Sequence, residues 1–299
     1  MFSTINKTET LRTARAQAVL RAATPIDELV KSGPKGNALE IARAAGILAA
    51  KRTWEIIPYC HPIPIDHIAV DFETDAAEVK ITATVQTVWK TGVEMEALMA
   101  AQIAATTLFD MLKPVVSGMV ITEARVLEKT GGKTNFKEVI PKGFKAAVIV
   151  TSDGTHAKKR PDKSGQIILE ALKNYGIADP AYHILPDEAE AILKKLRQCH
   201  QEKFDLVLTT GGTGLGPRDV TVEATRKFID REVPGVMEAA RAFGQQRTPY
   251  AMLSRGLAGL KGGMLVVNLP GSSKGTQESL NAIFPAILHG YKMMAGGGH

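Results

Sequence analysis

Between Thr209 and Asp219 the chain reads TTGGTGLGPRD: four glycines within six residues, then a proline, an arginine and a carboxylate. Glycine tolerates φ > 0 and close approach of a ligand, so positive φ is expected at Gly211, Gly212 and Gly214. The amides of that turn, Thr213 included, can then cradle a phosphate. Asp219 beside the loop and Asp187 in LPDE are hard oxygen donors, the kind that hold a divalent cation shared with phosphate oxygens. Asp187 ahead of a helix is equally the usual place for an N-cap. Two common phosphate loops do not fit. A P-loop needs Lys-Ser/Thr after its last glycine, where this chain has Pro217 and Arg218; a dinucleotide fingerprint opens the first strand of its domain, and this loop follows the third.

The first half carries two shorter candidates. Asp110 and Lys113 stand one turn apart on one helical face, and Pro114 ends that helix. A carboxylate near a helix C-terminus opposes the macrodipole, so Asp110 beside a lysine is either an ion pair or an acid/base pair. IPYCHP (57–62) holds Cys60 and His61 in a stiff proline-flanked loop, without the further Cys or His at ligand spacing that zinc requires.

The elements that must position these groups fall into two grammars. In the first half, 10–23 and 36–53 have helical composition, and Ile68/Val70/Phe72 and Val79/Ile81/Ala83/Val85 alternate as strands. The stretch 95–113 is an Ala-rich buried helix, 119–128 a strand, and GGK (131–133) a turn. Helices on a small antiparallel sheet give an α+β layer. A linker is expected at 134–145. Beyond it, strands near 146–153, 182–187, 204–210 and 264–271 each lead into a helix (164–175, 188–202, 220–231 and 276–290). That is a doubly wound α/β domain with ligands at the carboxyl ends of its strands. The expected domains are 1–140 and 145–299, with a disordered GGGH tail.

At 299 residues two domains are the natural size, and no apolar run reaches the ~18–20 residues a membrane span needs. The N-terminus carries no export signal, and two cysteines build neither a disulfide framework nor a zinc site, so a cytoplasmic location is expected. A net charge of +6 suits small anionic substrates. The only basic run, Lys158-Lys159-Arg160, is too short and aromatics at 5% too sparse for a nucleic-acid surface, so neither nucleic acid nor membrane is expected as a partner.

TTGGTGxGxRD, taken with VTSD (150–153), DxSG (162–165), PDE (186–188) and NLPGSxK (268–274), resembles the molybdopterin adenylyltransferases over about 145–295. The resemblance implies adenylylation of molybdopterin with MgATP, with Asp187 and Asp219 on Mg²⁺. Ser152, Gly211, Gly212, Thr213, Gly214, Asn268, Ser272 and Ser273 would hold pterin and phosphate. A domain that binds molybdopterin without turnover fits these motifs nearly as well.

KGN (35–37), AAKRTWEIIPYCHP (49–62), KTGVEMEAL (90–98), FDMLK (109–113) and LEKTGGK (127–133) resemble the cyclic pyranopterin monophosphate synthases over about 5–137. That family implies a ferredoxin-like hexamer, needing no cofactor, that converts 3′,8-cyclo-7,8-dihydro-GTP to cyclic pyranopterin monophosphate and pyrophosphate. Carried onto matching positions, Asp110 and Lys113 are the catalytic pair. Arg12, Lys35, His61 and Lys129 would neutralise phosphates, and Tyr59, Cys60, His61, Met95 and Glu96, with Glu94 beside them, would line the pocket. If 95–113 is one helix, Met95 and Asp110 lie about 22 Å apart at 1.5 Å per residue, so the pocket is expected between subunits. A fusion of two enzymes of molybdenum cofactor biosynthesis is the resulting expectation.

Overall fold

The computed structural model describes residues 1–132, 135, 138–157 and 161–297, in two compact units, Met1–Asn135 and Phe136–His299. The run Lys158-Lys159-Arg160, Lys133 of the GGK turn and the end of the GGGH tail lie outside the described residues.

The first unit runs β1 (Thr10–Arg21), α1 (Leu29–Ser32), α2 (Ala38–Lys51), α3 (Thr53–Ile56), β2 (His67–Asp75), β3 (Glu78–Trp89), α4 (Glu94–Leu112) and β4 (Val120–Thr130). Its four strands are all antiparallel, in the order β2-β3-β1-β4. The alanine-rich α4 lies on this sheet, burying Ala97, Ala100, Ala101, Ala104, Ala105 and Leu108, and small residues let α2 close over it. At Gly46 of α2 a Cβ would stand 2.8 Å from the Ala100 carbonyl oxygen, so glycine is required for that approach.

β1 overturns the expectation of a helix at 10–23. Its arginines and alanines are good helix formers, but Ala14, Ala16, Ala18 and Leu20 alternate into the core. The strand is hydrogen-bonded along both edges, to β3 and β4, and those two ladders outweigh a propensity difference of a few tenths of a kcal/mol per residue.

The second unit runs β5 (Ala146–Thr151), α5 (Asp153–His156), α6 (Ser164–Asn174), β6 (Ala181–Leu185), α7 (Ala189–Gln201), β7 (Leu206–Thr210), α8 (Thr221–Phe228), β8 (Arg231–Glu232) and α9 (Pro234–Gln245). After a 3₁₀ turn (Pro249–Leu253) come β9 (Ala258–Lys261), β10 (Met264–Leu269) and α10 (Ser273–Ile283), then a second 3₁₀ turn (Ala286–Leu288) and α11 (His289–Met294). The sheet order is β6-β5-β7-β10-β9-β8. The first four strands are parallel, while β9 and β8 are antiparallel additions, so the sheet is mixed.

Both faces of this sheet are covered, which is why its strands read as unbroken apolar runs. Ala146 and Val148 of β5 point into the layer with Ile168 and Leu172 of α6, Met237 of α9 and Leu280 of α10. Ala147 and Ile149 point into the opposite layer with Ile192 and Leu196 of α7 and Phe228 of α8. The helix expected over 276–290 stops at Ile283, because Pro285 supplies no amide and restrains the residue before it. The stretch expected as a linker ends as part of this unit. Ile140 and Phe144 pack on its core, Phe144 edge-on to Tyr291 at 4.8 Å. Among the described residues no helix is long and apolar enough to cross a membrane.

Candidate functional site

A cavity of about 900 Å³ opens at the carboxyl ends of β5, β7 and β10. Its wall brings together Ser152, Asp187, the loop Gly211–Gly214, Asp219, Ser272 and Ser273, which are separated by up to 121 positions in the chain. Gly211 and Gly212 have φ of +102° and +62°, as expected. A side chain at either would also strike the backbone of Thr151 or the hydroxyl of Thr221. Gly214 differs: it is outside the left-handed region, and a Cβ there would stand 2.9 Å from the Asp219 carboxylate, which would have to shift.

The carboxylates are held by backbone. Asp219 Oδ2 accepts the Gly216 amide at 2.8 Å. Asp187 and Asp153 exchange bonds, each carboxylate accepting the other's amide at 3.0 Å. The Asp187 amide, and then Arg218, holds the Asp153 carboxyl below the usual range. Ser152 caps α5 and Ser272 caps α10, their hydroxyls accepting the amides of Thr155 and Gly275. Asn268 stands behind the wall rather than on it. It is fully buried and donates to the hydroxyls of Thr209 and Thr225 at 3.0 and 2.9 Å, tying β10 to β7 and α8.

Sequence reasoning passed over Arg255. Its guanidinium donates to the Gly214 and Asp219 carbonyls, each at 2.6 Å, and pairs with Glu223, so one side chain fixes the whole glycine loop. Asp162 of DxSG also lies on the cavity wall. Its carboxylate accepts the Ser164 hydroxyl at 3.2 Å and the Gly165 amide at 3.0 Å in the first turn of α6, and the Tyr182 hydroxyl at 2.6 Å. Arg255 shows in no local pattern, because it acts on a loop some 40 positions away.

In the first unit the candidates form two groups at opposite ends of the unbroken helix α4. At its C-terminal end Asp110 accepts Lys113 Nζ at 2.7 Å on one oxygen and Lys35 Nζ at 3.1 Å on the other. Lys113 and Lys35 together hold the Asp110 carboxyl below the ordinary range. At the N-terminal end Lys129 Nζ pairs with Glu94 at 3.1 Å, and Arg12 donates to the Trp89 and Lys90 carbonyls. Burial lowers the Arg12 guanidinium, and Glu94 pulls the other way. Arg12, Glu94 and Lys129 line a cavity of about 230 Å³.

Nearby, Glu96 is buried while Met95 and Tyr59 are exposed and Cys60 and His61 half-buried. Burial, reinforced by Glu94, pushes Glu96 up to about 7, and burial, then Glu96, raises the Cys60 thiol. Because the folded pKa of Glu96 lies above its unfolded value, its stabilising contribution is complete below about pH 4.5 and lost as pH rises through about 7. At ~1.4 kcal/mol per pKa unit, the first unit should lose on the order of 3 kcal/mol across that window, and Glu96→Gln should remove that loss. Thermal melts of both proteins from pH 4 to 8 check this; parallel curves would refute it.

Residues 1–132 match the MoaC family model, and 147–289 match the model described as "probable molybdopterin binding domain". The molybdenum cofactor biosynthesis bifunctional protein of Chlorobaculum tepidum is 42% identical over 269 residues, 90% of this chain and 85% of that one. The chain belongs to this bifunctional family. Its counterpart in Synechococcus elongatus is 35% identical over 314 residues, covering 100% of this chain and 98% of its own. Cyclic pyranopterin monophosphate synthase 2 of Mycobacterium bovis is 47% identical over 135 residues, 44% of this chain and 81% of that protein. Among solved structures, the molybdopterin biosynthesis enzyme MoaB of a Thermus species is 44% identical and covers 51% of this chain and 97% of its own, with a TM-score of 0.47.

Proposed function

We propose that the two units catalyse two steps of molybdenum cofactor biosynthesis. The first, a ferredoxin-like lyase, converts 3′,8-cyclo-7,8-dihydro-GTP to cyclic pyranopterin monophosphate and pyrophosphate. The observation carrying this is Asp110 held between Lys113 and Lys35: a carboxylate and an ammonium in contact can move protons through a rearrangement. Arg12, Lys35, His61 and Lys129 neutralise the triphosphate and the departing pyrophosphate, and Tyr59, Cys60, Met95 and Glu96 face the pterin.

Glu96 and Asp110 are 14 positions apart on one helix, about 21 Å at 1.5 Å per residue. One compact pocket therefore draws its two groups from different chains of a closed homo-oligomer, which we read as a hexamer. Mixing Asp110→Asn chains with His61→Ala chains should restore part of the synthase activity that each variant lacks. No recovery after confirmed subunit exchange would assign the whole pocket to one chain.

The second unit is a nucleotidyltransferase that adenylylates molybdopterin with MgATP. It is supported by the convergence of the glycine loop, Asp187 and Asp219 on one cavity. Two carboxylates beside a row of backbone amides suit Mg²⁺, which takes one or two carboxylates and fills its shell with phosphate oxygens and water. When bound there, Mg²⁺ supplies charge neutralisation for the phosphates. Gly211–Gly214 orient the triphosphate by their amides, Arg255 keeps that loop in shape, and Ser152, Ser272 and Ser273 orient the molybdopterin phosphate. Both carboxylates accept a backbone amide in this structure, an arrangement also compatible with a domain that binds molybdopterin without turning it over. Incubating the pure protein with each substrate, with and without MgATP, and measuring pyrophosphate tests both units. The cytoplasm, where these phosphorylated substrates would be at hand, is the location this reading implies.

A further inference from the structure

Five charged side chains line the large cavity among the described residues: the carboxylates of Asp162, Asp187 and Asp219, and the cations Lys163 and Arg218. Asp162 is engaged by Tyr182, Ser164 and Gly165. A divalent cation on Asp187 and Asp219 offsets those two carboxylates and leaves much of the charge of a nucleoside triphosphate unmet, so the cations of the wall matter.

The two cations are held differently. Lys163 is exposed, and its ammonium has no partner among the described residues. Arg218 belongs to the glycine loop, next to Asp219 in the chain, and one of its terminal nitrogens pairs with the Asp153 carboxylate. That carboxylate takes the Asp187 amide on its other oxygen, and the Asp153 amide donates back to Asp187, each at 3.0 Å. Arg218 is thereby tied to both candidate metal ligands, through the chain to Asp219 and through Asp153 to Asp187. Its remaining N–H groups have no partner among the described residues. A guanidinium with one arm fixed and the rest of its fork on offer is preorganised for phosphate oxygens, as a free lysine is not.

We propose that Arg218 neutralises the two terminal phosphates of the nucleotide, and that Asp153 is its positioning residue. This rests on the adenylylation reading and deepens it. In that reaction a molybdopterin phosphate oxygen bonds to the α-phosphorus. The bond from that phosphorus to the bridging oxygen of the β-phosphate breaks, and pyrophosphate leaves with the electron pair. Negative charge gathers on the leaving group, and a fixed guanidinium stabilises it more in the transition state than in the bound nucleotide. Asp153 is not itself on the cavity wall and acts through Arg218.

Calorimetric titration of the full-length protein with MgATP and with AMP tests this, because AMP lacks the two terminal phosphates. Wild type should hold MgATP tighter than AMP by about tenfold or more. Arg218→Ala should remove most of that preference and leave AMP binding within about twofold, a split that general damage to the glycine loop would not produce. Arg218→Lys, which keeps the charge and loses the fork, should recover only part of it. Arg218 is mostly exposed, so both variants should fold. Lys163→Ala takes the same charge from the same wall and should change MgATP binding by less than about threefold. Asp153→Asn keeps an oxygen for the Asp187 amide; it should weaken MgATP several-fold alone but add nothing to Arg218→Ala. An unchanged MgATP preference in Arg218→Ala, or an equal loss in Lys163→Ala, overturns the role of Arg218 and leaves the adenylylation reading standing. Additive losses in the double variant overturn the positioning role of Asp153. Folded wild type that binds MgATP no tighter than AMP overturns both the inference and the reading.

Discussion

Asp110→Asn should cut formation of cyclic pyranopterin monophosphate by a factor on the order of 10²–10⁴, the usual yield of a positioned acid or base. The substitution changes almost no volume and keeps one acceptor oxygen for Lys113 or Lys35, but an amide neither takes nor gives the proton. The effect cannot be confused with unfolding. Asp110 is half exposed, and a solvent-exposed ion pair contributes little to stability. Thermal melts of the variant should therefore nearly overlay wild type, and its MgATP chemistry should be intact. Lys113→Ala should produce a loss of similar size, and the double variant little more than either single one, because two residues acting as one unit are not additive. Near wild-type synthase activity in Asp110→Asn would reduce the Lys35–Asp110–Lys113 cluster to a helix-end ion pair.

The pattern of what sequence revealed follows from how each residue is held. Helix α4 was legible because its alanines recur at helical spacing and Pro114 closes it. The parallel strands were legible because burial on both faces makes them unbroken apolar runs. Strand β1 was not, because its composition favours a helix and its true signal, Ala14/Ala16/Ala18/Leu20 at period two, is written in the least hydrophobic of apolar residues. The antiparallel pair β8 and β9 escaped for a different reason. They are two and four residues long, below what periodicity can register.

Among the site residues, glycines and carboxylates at strand ends announced themselves, since ligands gather there in this class of fold. Asn268 sits at such an end too. Nothing in the local sequence says whether it turns outward to a ligand or inward to Thr209 and Thr225, as it does.

Asp219→Asn is expected to slow adenylylation of molybdopterin by about a hundredfold or more, the scale on which charge stabilisation at a phosphoryl centre is lost when one ligand to it is neutralised. The loop should survive. An asparagine oxygen can still accept the Gly216 amide, and the Asp219 backbone carbonyl remains fixed by Arg255 whatever its side chain carries. Removing the charge therefore isolates the electrostatic role of the carboxylate from its role in shaping the turn. Gly214 gives an independent control, since a Cβ there would stand 2.9 Å from the same carboxylate, so that Gly214→Ala would crowd it without changing any charge. Molybdopterin affinity should change only a few-fold in Asp219→Asn, because Ser152, Ser272 and Ser273 lie on other parts of the wall. The paired measurements are adenylylated product formed per unit time and equilibrium binding of molybdopterin, for wild type and variant. Equal turnover would take Asp219 out of the reaction. A wild type that binds molybdopterin but releases no pyrophosphate from MgATP would make the second unit a carrier, with Asp219 retained for the shape of the glycine loop.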